Sequence, residues 1–511
     1  MITGFSRYCS AIILTGLFLD CCSPGQGPET SLLEAGAAKA VITPVVETFE
    51  DLNGNNIRDE GEPFSDLNRD GRFNPVWIAG FGAKRQALGI HDNLYARALV
   101  LVQGRVRIGI VAVDWVGLLR DQVLDIGLRA RRAGVALDKL IITCTHNHEG
   151  PDSIGLWGPF GKTGRDDGYM EWAGGQIVSA LLKARDRLSP VHLAAGTGKT
   201  ENLTNDSRLP IVIHEELVAL RFDRVDGSGP VAVVTHWSNH VEALGGSNHL
   251  ISADFPASLV STLEEAYPGA VGIYWQGMVG GLMTPLGVEV KDDNGKVLEE
   301  NSFAKADRLG RLVADVALSA LDRGEYIDGS RALTYRDSSF FVPLENEDFK
   351  IGALMGLFER KVYDDQGNER SSSDIMKFQP YLETEADVID VGGVQIVTVP
   401  GELYPELALE GPSGETYYQE PQDPGADFFP CDCSTPIYHN MRETPYRIVL
   451  GLANDELGYI IPRCQFDREP PYAYERDTPQ YGEDFSVGPQ AAPLLNHELA
   501  RELDASAARQ E

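Results

Sequence analysis

Strand-like and helix-like segments alternate along the chain from about residue 90 to residue 465, and this regularity leaves few architectures open. Short runs rich in Val, Ile and Leu predict buried strands, whereas longer amphipathic stretches predict helices. Such alternation is typical of a layered domain. We therefore expect an α/β (mixed α+β) fold, in one large domain of mixed β-sheets flanked by helices. The predicted strands cover 94–102, 106–113, 140–144, 216–223, 231–236, 271–275, a hairpin over 387–399, and 448–452, and the predicted helices cover 121–134, 168–188, 255–267 and 304–321.

The charge of the chain restricts its partners. Its 511 residues include 44 Lys and Arg against 76 Asp and Glu, which gives a formal net charge of −32. Nucleic acids are bound by neutralising their phosphates with Lys and Arg, so the sequence predicts no nucleic-acid partner. Anionic membranes are disfavoured for the same reason. Because 43% of the residues are hydrophobic and 23% are charged, a large core can still be buried.

The first 30 residues have the plan of an export signal. Arg7 precedes an apolar run over 11–19, and Cys21 and Cys22 follow it. This run is too short to span a bilayer, and no other stretch reaches the ~18 apolar residues of a transmembrane segment. We expect an exported protein that is periplasmic, an outer-surface lipoprotein attached through one of these cysteines, or secreted. The expected domains are a leader over 1–30, a main domain over 31–470 and a C-terminal extension over 471–511.

Four cysteines follow the leader: Cys144, Cys431, Cys433 and Cys464. An exported chain meets oxidising conditions, so Cys464 is expected to pair with Cys431 or Cys433. The sequence leaves both pairings open. The Cys431-Asp-Cys433 spacing lacks the second cysteine pair that zinc sites use, which favours structural cysteines.

Between residues 50 and 75 the chain carries two tandem copies of a calcium-loop pattern. In the first copy, oxygen-bearing side chains stand at loop positions 1, 3, 5, 9 and 12, the ligand spacing of a calcium loop. The second copy begins in the same way. We expect this insertion to bind structural Ca²⁺; the alternative is a solvated loop that binds no ion. The candidate ligands are Asp51, Asn53, Asn55, Asp59 and Glu62 in the first copy, and Asp66, Asn68 and Asp70 in the second.

Titratable side chains also collect where predicted strands end. His146 and His148 follow the strand over 140–144, and residues i and i+2 of an extended chain face the same way, so both can reach one pocket. His240 ends a second β run, and Glu402 follows the hairpin over 387–399. Two histidines and one carboxylate from separate elements form a zinc site with a position open for water. The alternative is that each is an ordinary polar residue of a core or loop.

Several ordered motifs resemble those of a known family. They are Gly80-Phe81-Gly82 and the segments 89–98, 145–151, 248–254, 400–402 and 454–459. Their order, over roughly residues 35–470, resembles the catalytic domain of the neutral/alkaline (non-lysosomal) ceramidase family. The resemblance implies a zinc-dependent amidohydrolase that cleaves the N-acyl bond of ceramide, a lipid-like substrate. It implies that His146, His240 and Glu402 bind zinc and that His148 lies near the scissile amide and takes part in proton transfer.

The chain departs from the family pattern at several positions. Glu456 stands where the family has a tyrosine as its fourth metal ligand, and a carboxylate can also bind zinc. Thr284 replaces a serine; its hydroxyl and that of Tyr459 are expected to hydrogen-bond the amide or the oxyanion. The family's substrate-contacting arginine is loosely echoed by Arg208. Only residues 470–511 follow Glu469, so the family's C-terminal β-sandwich is expected to be absent.

Two alternatives to a ceramidase remain open. The changes at Glu456 and Thr284 allow a hydrolase that acts on a different amide or ester. The chain could instead be a calcium-stabilised, non-catalytic surface binding protein whose zinc pocket no longer turns over substrate. The acyl chain length, the lipidation of the leader and the oligomeric state are not fixed by the sequence.

Overall fold

The computed structural model describes residues 31–327, 331–409 and 435–507, with the backbone alone for 505–507. Numbered in chain order, the first strands are β1 (Glu34–Val41), β2 (Gly89–Ile90), β3 (Tyr95–Gln103), β4 (Val106–Val113), β5 (Lys139–Cys144), β6 (Ser189–Lys199), β7 (Asn205–Asp206), β8 (Glu216–Arg224), β9 (Pro230–Trp237), β10 (Leu250–Ile251), β11 (Val271–Gln276) and β12 (Met283–Thr284). The later strands are β13 (Glu325–Tyr326), β14 (Thr334–Pro343), β15 (Val362–Tyr363), β16 (Glu369–Arg370), β17 (Tyr381–Val391), β18 (Val394–Thr398), β19 (Glu402–Leu403), β20 (Arg447–Leu450) and β21 (Tyr459–Ile460).

The α-helices are α1 (Arg120–Arg132), α2 (Asp167–Arg185), α3 (Phe255–Ala266), α4 (Phe303–Arg323), α5 (Glu347–Leu354), α6 (Ile437–Asn440) and α7 (Ala491–Ala507). Local chemistry fixes where several of them begin. The side chain of Asp166 accepts a hydrogen bond from Tyr169 N at the start of α2, and that of Ser302 accepts one from Lys305 N at the start of α4. Both are the N-cap arrangement that satisfies a free N–H of the first turn.

The strands form two large sheets. The first has nine strands in the order β11-β9-β8-β6-β1-β3-β4-β5, with β13 paired to β6. The second has six strands in the order β16-β15-β17-β18-β20, with β14 paired to β17. Both sheets mix directions: β3 and β4 form an antiparallel hairpin, whereas β4 and β5, β9 and β11, and β18 and β20 are parallel. The expected mixed fold is thereby confirmed.

The two sheets stack face to face and carry helices on their outer surfaces. Side chains of β3, β8, β18 and β20 share one core between the sheets. The other face of the first sheet packs against α1 to α4, and the other face of the second sheet packs against α7. Helix α2 approaches β1 so closely that only glycine fits at Gly36: a Cβ atom there would lie 2.1 Å from the carbonyl oxygen of Ala184 in α2.

The two sheets meet along one edge, where parallel strands end. Gly451 N, after β20, donates to Gln276 O at the end of β11 with a distance of 3.0 Å. Asn454 N donates to Ile142 O of β5 at 2.8 Å. These bonds bring the carboxyl ends of β5, β11 and β20 together, and β9 pairs with β11 in the first sheet. Loops that follow strands at such an edge are a common location for functional residues.

Cys464 is disulfide-bonded, whereas the predicted alternatives Cys431 and Cys433 lie outside the described residues, as does the predicted leader over 1–30. Cys144 is free and buried. None of the described helices combines the length and the apolar character that crossing a bilayer requires.

Candidate active site

All seven side chains predicted for the zinc and catalytic site line one cavity. They are His146, His148, His240, Thr284, Glu402, Glu456 and Tyr459. Strand ends position most of them. His146 and His148 follow β5, and His240 follows β9. Glu402 in β19 is paired in register with Tyr459 in β21. A parallel bridge between Asn147 and Val241 sets the loops after β5 and β9 side by side.

His146 and His240 are held in the same way. The ring of His146 donates from Nδ1 to Val116 O, and the ring of His240 donates from Nδ1 to Met283 O, each at 2.8 Å. These bonds leave Nε2 of each ring as the atom with a free lone pair, the form of imidazole that binds a metal. His146 also has a left-handed backbone with φ 62°, a conformation that is costly for a residue with a side chain and that occurs often at functional sites.

Glu402 completes the group. Its Oε2 lies 3.3 Å from His146 Nε2 and 3.2 Å from His240 Nε2. Within the described ranges, His146, His148 and His240 are the one group of three or more His, Cys, Asp or Glu side chains whose ligand atoms all lie within 4.8 Å of one another. These three imidazoles could hold a metal ion, and Glu402 places a carboxylate oxygen beside two of them; imidazole and carboxylate are both ligands that zinc takes.

Glu456 supports the same interpretation. Its Oε1 accepts a hydrogen bond from Gly458 N at 2.8 Å, but its buried Oε2 has no hydrogen-bond partner. Burial, aided by the nearby carboxylate of Glu402, raises the pKa of Glu456 well above its usual range. A carboxylate in this position needs either a proton or a cation, so the residues present fit a bound metal.

Burial and neighbouring charges set the protonation of the histidines. Burial lowers the pKa of His148 to about 4, so this ring is neutral near pH 7. Burial also disfavours the charged form of His240, but the carboxylates of Glu242 and Glu402 outweigh it and raise its pKa to about 9. Without a cation His240 therefore holds a proton, and a bound metal would replace that proton.

Glu242, which the sequence analysis left without a role, contacts His148. Its Oε2 lies 3.2 Å from His148 Nδ1, and its Oε1 accepts a hydrogen bond from the hydroxyl group of Thr284. Burial disfavours the charge of Glu242, yet His240 and His148 lower its pKa to about 2. The carboxylate is therefore ionised and favours a proton on Nδ1 of His148, which leaves Nε2 free on the side of His146, 3.2 Å away.

The loop that precedes β2 makes room for His148. Gly80 has φ 94°, and a Cβ atom there would lie 2.3 Å from His148 Cγ. On the other side of the chain, the buried Arg85 guanidinium donates to Glu149 Oε2 at 3.1 Å, and it also contacts the backbone oxygen of His148. A glycine and a buried ion pair thus fix the position of this imidazole.

Tyr459 is buried beside the metal-ligand candidates. Its hydroxyl oxygen lies 3.5 Å from His240 Nε2. Burial raises the pKa of Tyr459 well above its usual range, so the hydroxyl keeps its proton. It can therefore donate a hydrogen bond to a group bound in the cavity.

The cavity has a volume of about 790 Å³, within the range of small-molecule sites. Its charged groups cluster around the histidines, and most of its wall is apolar, including Phe81, Leu119, Trp157, Phe349, Phe358 and Val487. Sequence analysis missed Arg360, Tyr481 and Phe485, which also line it. Arg360 donates to Asp455 Oδ1 at 2.7 Å and to Glu456 O at 3.3 Å, so it holds the loop that carries Glu456.

The predicted calcium loops lie apart from this cavity and share one hydrogen-bond pattern. Asp51 Oδ2 accepts a hydrogen bond from the backbone N–H of Asn56, five residues later in the chain. In the same way, Asp66 Oδ2 accepts a hydrogen bond from the backbone N–H of Gly71, also five residues later. The backbone at Asn56 and Gly71 has positive φ. The remaining candidates, which lie in these loops, are Asn53, Asn55, Asp59, Asn68 and Asp70.

Two buried glutamates close the loops. Glu62 accepts from Leu52 N and Asp59 N at 2.8 and 2.9 Å. Glu47 plays the same part in the second loop: it accepts hydrogen bonds from the backbone N–H groups at the equivalent positions, Leu67 and Asn74, at 3.0 and 2.8 Å. Each loop therefore has one buried glutamate whose two oxygens both accept backbone N–H bonds of that loop. The sequence pattern did not predict Glu47 because this residue precedes both loops.

Together, fold and site define a layered α/β protein with a buried histidine and carboxylate cluster at the base of an apolar cavity. Comparison with protein-family models finds no match. Among curated proteins, neutral ceramidase B of Dictyostelium discoideum is 25% identical over 132 residues, a segment that covers 22% of this chain and 18% of that protein.

Two solved structures share the fold. The neutral ceramidase from Pseudomonas aeruginosa aligns with a TM-score of 0.62 and 15% identity, over 94% of this chain and 75% of that chain. A ceramidase complexed with C2 aligns with a TM-score of 0.62 and 16% identity, over 94% and 76% of the two chains. The resemblance to the neutral ceramidases that the motifs predicted is confirmed, and this chain has their fold.

Proposed function

We propose that this chain is an exported zinc-dependent amidohydrolase that cleaves the N-acyl amide bond of ceramide or a related lipid amide. The observation that carries the proposal is the meeting of His146, His240 and Glu402 at the base of a largely apolar cavity. A cavity that combines a polar, metal-binding group with an apolar wall suits a substrate that has a polar reacting amide and apolar hydrocarbon chains.

The metal would be held by His146 Nε2, His240 Nε2 and Glu402, with Glu456 as a further ligand in place of a tyrosine. Zinc in such a site supplies a Lewis acid that polarises a carbonyl and activates a water. The backbone carbonyls of Val116 and Met283 orient the two imidazoles through their Nδ1 protons, which is the usual support for metal-binding histidines.

His148 would move the protons. With Nδ1 held beside the Glu242 carboxylate, Nε2 is free to accept a proton from the water that attacks the amide carbon. The same proton is then donated to the nitrogen as the carbon–nitrogen bond breaks, which yields a free amine and a carboxylic acid. Its low pKa keeps His148 neutral at pH 7, so Nε2 carries the lone pair that a proton acceptor needs.

Thr284 and Tyr459 would support this chemistry in different ways. The Thr284 hydroxyl donates to Glu242 and so fixes the carboxylate that orients His148. The Tyr459 hydroxyl keeps its proton and faces the metal-ligand candidates, where it can donate to the oxyanion of the tetrahedral intermediate. A hydrogen-bond donor of this kind typically contributes ~3 kcal/mol.

We expect the purified protein to contain about one zinc ion per chain at the His146 site and to hydrolyse a short-chain fluorescent ceramide. The matched substrate is an analogue with the same chains in which an ester oxygen replaces the amide N–H. Zinc content and the release of both products are measured on the same preparation. Zinc with cleavage of the ester alone would assign a different hydrolase, and a protein without zinc or turnover would favour the binding-protein alternative.

We also propose that the two loops of the 50–75 insertion bind structural calcium, with Glu62 and Glu47 as their bidentate ligands. A ligand that binds only the folded state at 100 times its dissociation constant stabilises that state by about 2.7 kcal/mol. We therefore expect calcium chloride to raise the melting temperature of the chelator-treated, zinc-loaded protein, whereas magnesium chloride does not.

The stoichiometry tests which loops bind calcium. Titration calorimetry should give two calcium ions per chain for the wild type and one each for Glu62→Gln and Glu47→Gln, because each variant keeps the other loop intact. A wild type that takes up no calcium, with an unchanged melting temperature, would show that the insertion is a solvated loop.

A further inference from the structure

Several exposed apolar side chains lie on the segments that line the cavity. We define this apolar rim as Phe160, Ile351, Leu354, Met355, Tyr481 and Phe485. Phe160 is 93% exposed, and the other five are between 44% and 50% exposed. Large apolar side chains are individually common at protein surfaces, but several of them on segments that line one cavity indicate an interaction site.

The rim is continuous with the wall of the cavity. On α5, Phe349 and Ala353 line the cavity, while Ile351 and Leu354 on the same short helix are exposed. The exposed side of this helix therefore carries Ile351 and Leu354 beside the charged residues Glu347 and Asp348, and two large apolar side chains in solvent are not explained by packing against the protein alone.

The other two segments of the rim show the same continuity. Trp157 lines the cavity three residues before Phe160, and a Cβ atom at Gly161 would lie 3.4 Å from the Met355 methyl carbon, so this turn touches the end of α5. In the third segment, Tyr481 and Phe485 themselves line the cavity, and their ring centroids lie 5.1 Å apart.

The shape and charge of the rim favour a lipid surface over a protein partner. Phe160 projects from a tight turn, closed by a hydrogen bond of 2.9 Å from Lys162 N to Pro159 O. A ring that projects from the surface, as Phe160 does, inserts readily into fluid lipid, whereas a stable protein interface needs a matching surface of roughly 800 Å² per partner. The exposed charged residues on the same segments have both signs, with Lys162 beside Phe160 in the sequence and Glu347 and Asp348 on α5, and the net charge of −32 repels anionic lipids.

We propose that the apolar rim inserts into a zwitterionic lipid surface, so that the cavity opens onto the membrane and takes its substrate directly from it. Phe160 and Leu354 enter the acyl region of the lipid, and the cavity mouth then faces the depth at which a lipid amide lies. The inference rests on the proposed function for its substrate, whereas attachment to lipid is a property of the rim itself.

The test compares vesicle binding with catalysis. We expect the wild type to sediment with phosphatidylcholine vesicles and less with phosphatidylserine vesicles, and we expect Phe160→Ser with Leu354→Ser to lower the partition coefficient about tenfold or more. Hydrolysis of ceramide in vesicles should fall by a similar factor. Hydrolysis of a dispersed short-chain ceramide should stay within about twofold, because neither side chain lines the cavity.

The matched control is Leu128→Ser, which changes a side chain on α1 that is 52% exposed and lies outside the rim. It should bind vesicles like the wild type. The proposal is overturned if the wild type does not bind phosphatidylcholine vesicles, if the rim variant binds them equally well, or if the rim instead drives self-association in sedimentation without lipid. Rim-dependent binding without ceramide cleavage would refute the proposed function alone, and cleavage of dispersed ceramide without vesicle binding would refute this inference alone.

Discussion

Replacing His146 with alanine should remove the metal and nearly all activity. The imidazole supplies a lone pair 3.3 Å from Glu402 Oε2, and its loss leaves two of the three principal ligands. A metal that polarises a carbonyl contributes several kcal/mol to catalysis, so we expect kcat/KM for a short-chain ceramide to fall about 10³-fold or more. Zinc content by mass spectrometry should fall with it. A variant that keeps full zinc and activity would remove His146 from the ligand set.

The Glu242→Gln variant is compared with His146→Ala to distinguish a residue that positions His148 from a residue that binds the metal. The amide keeps the size of the side chain, but it no longer presents the ionised oxygen 3.2 Å from His148 Nδ1. Groups that orient catalytic histidines typically contribute 10- to 100-fold, roughly. We expect kcat to fall by about this factor while zinc content and KM change little. Loss of zinc in this variant would mean that Glu242 supports the metal site as a whole.

The positions of several site residues could be predicted because the ends of buried strands can be recognised in the sequence. The run over 140–144 corresponds to β5, and the Thr-His-Asn-His sequence that follows it turns toward the cavity. Buried parallel strands are short and almost uniformly apolar, so their ends are sharply marked by the first polar residues. His146, His148 and His240 were found in this way.

Glu242 carried a signal that was not used. It stands two residues after His240, and residues i and i+2 of an extended segment point to the same side. Val241 between them forms the bridge to Asn147, and its carbonyl oxygen accepts from His148 N at 2.9 Å. The alternation that predicted a shared pocket for His146 and His148 applies equally to this second pair.

Other elements were hidden by their composition. The central strand β1 has the sequence EAGAAKAV, and alanine favours helices, so local propensity opposes the structure that the neighbouring strands impose. Its small residues are needed because α2 packs directly against it at Gly36. Tertiary packing decides such a segment, and a single sequence does not reveal its partners.

The predicted C-terminal extension over 471–511 includes residues that line the cavity. Leu495, Leu499 and Leu503 of α7 lie in the core beneath the second sheet, and their spacing of four residues is a helical pattern that was available in the sequence. The contribution of Tyr481 and Phe485 could not be predicted, since it depends on an ion pair between distant parts of the chain.

That ion pair joins Arg208 and Glu483, and breaking it should destabilise the protein strongly. Each residue is only 2% exposed, and the guanidinium donates to both carboxylate oxygens, at 2.7 and 2.9 Å. Arg208 does not line the cavity, in contrast to the substrate-contacting arginine that it loosely echoes. It also donates to Tyr481 O and Gln465 O at 2.7 and 3.0 Å, so it fastens the segment that carries part of the cavity wall.

We expect Glu483→Ala to lower the free energy of unfolding by about 3–5 kcal/mol, because it removes the carboxylate that is hydrogen-bonded to a buried guanidinium. Urea denaturation measures the change. The double variant Arg208→Met with Glu483→Leu should recover most of the loss, since it removes both charges and keeps apolar volume. Asp374→Ala, which breaks an exposed pair with Lys377, should cost at most about 1 kcal/mol. A Glu483→Ala variant as stable as this surface control would mean that water reaches Arg208 and that the pair does not hold the segment over 481–487 in place.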